Sequence, residues 1–231
     1  MSPVKMQIDH NKIINEAAKN VLKSNGLFRK GSSRTWIDDN GWFLIIVEFQ
    51  PSNWDRGSYL NVAVHYLWAG QDHISFDYGG REKEFVAFAD NTEQFYKDMT
   101  DFAYKALEKV QEYRNFQNLE WAKERILSKR VTSSIGATSV IRYHQMMICG
   151  LSGDVMARKF YEELKEETRD SELVYDIKFR EELNEKIAPI IHDSAAFQDY
   201  IKSKVLKQRE FWHSKSSMKQ LRVGQSLQLR D

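Results

Sequence analysis

Cysteine is almost missing from these 231 residues; Cys149 stands alone, so no internal disulfide can staple the chain. It sits in the apolar run MMICGL, where a buried, inert thiol is expected because nothing nearby would favour the thiolate. A surplus of either charge is also missing: 34 basic residues face 33 acidic ones, which leaves no global field to draw the molecule to nucleic acid or to an anionic membrane. No window approaches the ~18 uninterrupted apolar residues that a bilayer-spanning helix needs, and the first residues lack the apolar centre of a signal peptide. A soluble cytoplasmic protein with no membrane partner is the expectation. Zinc-ligand spacings, glycine-rich phosphate loops and the nucleophile-elbow pattern are absent as well, so no motif calls for a metal or any other cofactor.

What is present is apolar and aromatic material, 42% and 13% of the chain, enough to offset the entropy of ordering a core. The stretch from Gly41 to Trp68 joins two runs rich in β-branched and aromatic residues through a polar segment holding Pro51, Ser52, Asn53, Asp55 and Gly57. That pattern predicts a β-hairpin with a long loop. Alternation places Phe43, Ile45, Val47 and Phe49 on one face with Leu60, Val62, Val64, Tyr66 and Trp68. A short strand near Ser33 to Ile37 precedes the hairpin. A fourth strand over His73 to Tyr78 would add Ile74, Phe76 and Tyr78 to the apolar face before a turn at Gly79-Gly80-Arg81, and 84–89 would form a fifth strand or lead into a helix.

Helical spacing predicts an amphipathic helix from Ile8 to Ser24 and a second from Asn91-Thr92, a capping pair, to about Tyr113. Beyond it, Leu119 to Ser128, Ile135 to Leu151, Asp154 to Thr168, Glu172 to Ile191 and Ser194 to His213 read as helices, with Pro189 ending or kinking the fourth. The fold class is therefore α+β: an antiparallel sheet of four to five strands packed by two helices over residues 1–114, followed by an all-α region over 115–213. Residues 214–231 lack a sustained pattern and are expected to be an extended or mobile tail.

Three groups of residues could carry function. The second sheet face mixes Trp42, Glu48, Tyr59, Asn61, His65, His73 and Asp77; a carboxylate beside an imidazole could do acid-base work or bind a metal, which makes Glu48, His65 and Asp77 the residues of a metal-dependent hydrolase, if there is one. The plainer reading is a solvated or helix-covered sheet face. The loop with Gln50, Ser52, Trp54 and Arg56 offers an aromatic, a cation and hydrogen-bonding groups at a hairpin end, where rigid scaffolds present binding residues. Against that stands a loop that satisfies its own polar atoms while Trp54 folds back onto the core. Finally, the last helix carries Lys202, Lys204, Lys207 and Arg209 near Phe211 and Trp212, the elements of a nucleic-acid surface. Residues 162–185 hold ten acidic and four basic side chains, however, and 201–231 hold eight basic and two acidic. Complementary solvated faces explain that split better than a nucleic-acid partner does.

The segment from Gly26 to Trp68 also carries Phe28, Lys30 and Gly31, then Phe49, Gln50 and Ser52, then Leu60, Asn61 and Val62. That F-x-K-G, F-Q-x-S, L-N-V pattern resembles an uncharacterised bacterial domain family of unknown function. The resemblance covers the first half of the chain and implies a small α+β module without an assigned activity. On these grounds the expected function is a non-catalytic binding or interaction protein. Its partner, another protein or a small polar ligand, would be met by the loop 50–56, with Asn61, Trp42 and Tyr59 beside it, or by the groove between the two regions.

Overall fold

The structure is a computed structural model and describes residues 9–129 and 137–222. Ile8, residues 135–136 of the second predicted C-terminal helix, and residues 223–231 of the predicted tail lie outside the described residues. Contacts divide the described chain into two compact units, one made of 9–114 with 209–222 and the other of 115–129 with 137–208.

In the first unit, α1 spans His10–Leu22 and starts where the Asp9 carboxylate accepts the Asn11 N–H, and it buries Ile13, Ile14, Ala17, Ala18, Val21 and Leu22. Five strands follow: β1 Phe28–Arg29, β2 Thr35–Asp39, β3 Phe43–Gln50, β4 Gly57–Tyr66 and β5 Tyr78–Ala87. They pair antiparallel in chain order. Helix α2, Thr92–Tyr113, is capped by the Asn91 side chain, which accepts the Gln94 N–H. It lies on β3, β4 and β5, and α1 packs against it. Phe43, Ile45, Val62 and Val64 are each 0% exposed beneath this layer. Burial of such side chains contributes about 1.5–3 kcal/mol apiece, which is what fixes the register of a sheet whose faces differ.

The antiparallel α+β sheet is as expected, but its fourth and fifth strands are not where alternation put them. Residues 72–77 are irregular, and one strand, β5, runs straight through Gly79 and Gly80. Those glycines are not a turn. A Cβ on Gly79 would lie 2.6 Å from both the Val62 carbonyl oxygen and the Tyr113 hydroxyl, and its φ is +85°, so the strand needs a residue with no side chain to approach its neighbours so closely. Ile74 and Phe76 consequently leave the apolar face; Phe76 is 41% exposed. Trp68 also lies outside β4, in a 3-10 turn over Leu67–Ala69, but is buried by stacking on Trp42 at 4.7 Å.

The second sheet face is closed in part by the far end of the chain. Arg209 forks onto Asp39, 2.6 Å from each carboxylate oxygen, and also donates to the Gly41 and Arg222 carbonyls. Residues 214–222, expected as an extended or mobile tail, instead make a 3-10 turn at Ser216–Met218 and bury Met218 and Leu221. The physical reason is the Arg209 anchor, to which Asp39 adds a bond from the Arg222 N–H at 3.0 Å.

The second unit is helical: α3 Leu119–Leu127, α4 Ala137–Leu151, α5 Met156–Thr168, α6 Val174–Glu182 and most of α7 Ser194–Ser214. After α6 the helix widens to a π-turn over Leu183–Ile187 and stops, because Pro189 has no N–H to continue the ladder. One Glu182 carboxylate oxygen accepts from Tyr143, Tyr200 and Lys204, tying α4, α6 and α7 together. Cys149 is buried, and burial pushes its thiol up to about 12.

Candidate functional site

The register of the first unit draws a transverse polar row across the second sheet face. Thr35 sits opposite Glu48, Glu48 opposite Asn61 and Asn61 opposite Arg81. The Lys30 N–H extends the row on the other side by bonding to the Thr35 carbonyl at 2.9 Å. Opposed residues of an antiparallel pair share a face, so these five side chains form one row over β2 to β5 and the residue that follows β1. Asn61 is 4% exposed and organises the middle of the row. Its amide nitrogen donates to Glu48 and Gln50, both at 2.9 Å, and its oxygen accepts from Arg81 at 2.8 Å. Arg81 also donates to Gln50 at 2.8 Å and lies 3.9 Å above the Tyr59 ring, which in turn meets Phe85 at 5.0 Å.

The structure thus brings Glu48, Gln50, Tyr59 and Asn61 together and adds Arg81 and Phe85, which the sequence reading missed. The only signal for them was the β3–β4 register continued by one strand, and the supposed turn at 79–81 hid it.

The loop between β3 and β4 is held from both sides. Ser52 Oγ accepts the Trp54 N–H at 3.1 Å and the Asp55 N–H at 3.4 Å. The Arg56 carbonyl accepts the Phe88 N–H at 2.8 Å, while its guanidinium covers the Phe88 ring at 4.4 Å and pairs with Asp90 at 3.2 Å. Arg34 reaches under the loop to the Gly57 carbonyl at 2.9 Å and to His10 Nε2 at 3.0 Å; burial, then the charges of Arg34 and Arg56, lower the His10 pKa. Ser52 satisfies loop backbone as expected, but Trp54 does not fold back: it is 91% exposed. Trp42, expected beside the loop, is buried against Trp68, Tyr66 and Phe43 and is not available to a ligand.

Further along the same face, a cleft of about 620 Å³ opens next to Glu48. Its polar lining is Lys30, Thr35, Glu48, Asp72 and His73; its apolar lining is Ile46, Ile74, Phe76 and Trp212. Trp212 joins β3 and β4 residues from far along the chain, and no local pattern announces it. Beneath it, His65 is fully buried, its Nδ1 3.0 Å from Ser75 Oγ, which donates to Asp77 at 2.7 Å. Asp77 accepts the Tyr66 N–H at 2.7 Å. Burial, reinforced by Asp77, raises the Tyr66 phenol well above its ordinary pKa.

His65 and Asp77 are therefore neighbours, whereas Glu48 lies four residues from the Leu44–His65 pair along β3, a span of roughly 13 Å at the usual strand rise. Among the described residues, no three His, Cys, Asp or Glu side chains are placed to hold a metal ion together. The basic residues of α7 are likewise separated by their own bonds: Lys204 is held by Glu182 and Tyr143, Arg209 by Asp39, and Lys202 by Gln198, while Lys207 is exposed. No described helix is long and apolar enough to cross a membrane.

Residues 18–105 match the family model of a domain of unknown function, DUF4304. The matched region begins within α1, contains all five strands and ends within α2, so the polar row and the Trp54 loop lie within the matched residues. Trp212 and Arg209 lie beyond the DUF4304 match. No curated protein matches the chain, and no solved structure does.

Proposed function

We propose that this protein is a non-catalytic binding module, and that its DUF4304 region engages a protein partner through the Trp54 loop and the adjoining Tyr59, Phe85 and Arg81 surface. The observation that carries this reading is the exposure of Trp54, 91%, on a loop in which Ser52 already accepts two loop N–H groups and Arg56 is fastened to Phe88 and Asp90. A tryptophan left in water gains nothing for folding, yet it supplies large contact area at low entropic cost when an apolar socket covers it. The loop is held at its base and turn before any partner arrives, so little ordering entropy remains to be lost on docking. Half-buried Tyr59 and Phe85 beside Arg81 supply the amphipathic rim typical of such surfaces.

The test is a photo-crosslinker placed at exposed position 53, beside an intact Trp54, in the full chain in its native cells, followed by affinity measurement with the captured protein. Trp54→Ala is expected to weaken that complex about thirtyfold or more, the loss of one hot-spot residue, with an unchanged circular dichroism spectrum and melting temperature. A partner held equally well by the alanine variant, or no protein crosslinked at position 53, overturns the reading.

A further inference from the structure

We infer that the cleft on the second sheet face is a separate small-molecule site, and that it takes a free α-amino acid with a large apolar side chain. Its volume, about 620 Å³, falls in the range of small-ligand pockets. Opposite charges line it: Lys30 faces Glu48 without meeting it, and Asp72 lies at the edge with His73, to which it is bonded at 3.1 Å. Lys30 and Glu48 stand two strands apart in the transverse row, roughly 10 Å between backbones at the usual strand spacing. Neither makes an ion pair with a described residue; Glu48 accepts one hydrogen bond, from Asn61. Lys30 is half-buried, as is Glu48. A cation and an anion held apart in one concave space offer complementary poles to a ligand that carries both charges.

A zwitterion does so with its two ends. The Glu48 carboxylate receives the α-ammonium, the Lys30 ammonium receives the α-carboxylate, and Thr35 lies between them in the row. Side chains of this length close the distance from the strands to a ligand whose charged groups are about 3 Å apart. Ile46, Ile74, Phe76 and Trp212 then form the apolar wall for the side chain, and the 41% exposure of Phe76 gives it surface to lose on binding.

Calorimetric titration of the full chain tests this with L-phenylalanine, N-acetyl-L-phenylalanine and L-phenylalaninamide. The free amino acid is expected to bind, and acetylation and amidation each to weaken it about tenfold or more. Glu48→Gln, which still accepts from Asn61, is expected to weaken the free amino acid as acetylation does, and Lys30→Met as amidation does. Trp54→Ala is expected to bind L-phenylalanine as the parent does, so the result stands apart from that of the partner experiment. Absence of binding at millimolar concentration, equal binding of all three compounds, or indifference to both substitutions overturns the inference.

Discussion

Replacing Arg209 with methionine removes the charge that fastens the end of the chain to the second sheet face while keeping most of the side chain's apolar stem. The Arg209 side chain is 5% exposed and that of its partner Asp39 is 9% exposed, so the pair is almost wholly out of water. Arg209→Met deletes two bonds to Asp39 and one each to the Gly41 and Arg222 carbonyls. It leaves a buried carboxylate with the Gly41 and Arg222 N–H groups as its remaining partners, at 3.2 and 3.0 Å. Removing one partner of a buried pair costs about 3–5 kcal/mol, and the two surviving donors place this case near 3. For a chain of this length that corresponds to a melting temperature roughly 6–12 °C lower. Thermal unfolding followed by circular dichroism reads the loss, and hydrogen exchange of 209–222 locates it. Adding Asp39→Asn removes the stranded charge, so the double variant should recover a measurable part of the stability. A single variant within 1 kcal/mol of the parent, or a double variant no better than the single, refutes the reasoning.

Alkaline pH should destabilise the fold. Burial raises the phenols of Tyr66, Tyr113, Tyr143 and Tyr200 and the thiol of Cys149, so each binds its proton more tightly folded than unfolded. Their contribution is complete below the unfolded values, 9.0 for the thiol and 10.0 for the phenols, and is lost as pH rises above them. Ultraviolet titration should show these four tyrosines ionising only with unfolding; smooth titration of all ten at ordinary pKa contradicts this. With its thiol at about 12, Cys149 should leave a disulfide reagent unreacted at pH 8, where only about one molecule in ten thousand is thiolate, until denaturant is added. Gly57→Ala should lower stability by about 2 kcal/mol or more in denaturant titration, because the new Cβ meets the Val86 carbonyl at 2.2 Å and the Phe85 ring at 2.6 Å, at a φ of +153°. A neutral result there would mean that Phe85 does not rest on Gly57.

The β3–β4 hairpin was legible because alternation over Phe43–Gln50 and Gly57–Tyr66 leaves one register that buries both apolar sets. The start of α2 was legible from Asn91, whose side chain has one good use there. Gly79 and Gly80 misled because glycine marks a turn and a close backbone approach with the same letter, and only the neighbouring strand tells them apart. Trp42 was placed on the ligand face by counting back from β3, but it precedes the strand and follows Gly41, so alternation did not apply to it. Of the candidate site, Glu48, Gln50, Tyr59 and Asn61 could be grouped from the hairpin alone. Trp212 and Arg209 could not, since their partners lie at sequence distances that no periodicity spans.

The Arg209–Asp39 clasp joins residues 170 positions apart, and this orders events during translation. The sheet strands leave the ribosome long before the segment that covers Ile46 and His65 has been made. At roughly 5–20 residues per second the nascent chain carries that face open for on the order of ten seconds. A stop codon just before Arg209 would make the interval permanent, releasing a chain that keeps every strand yet exposes an adhesive surface to chaperones and proteases.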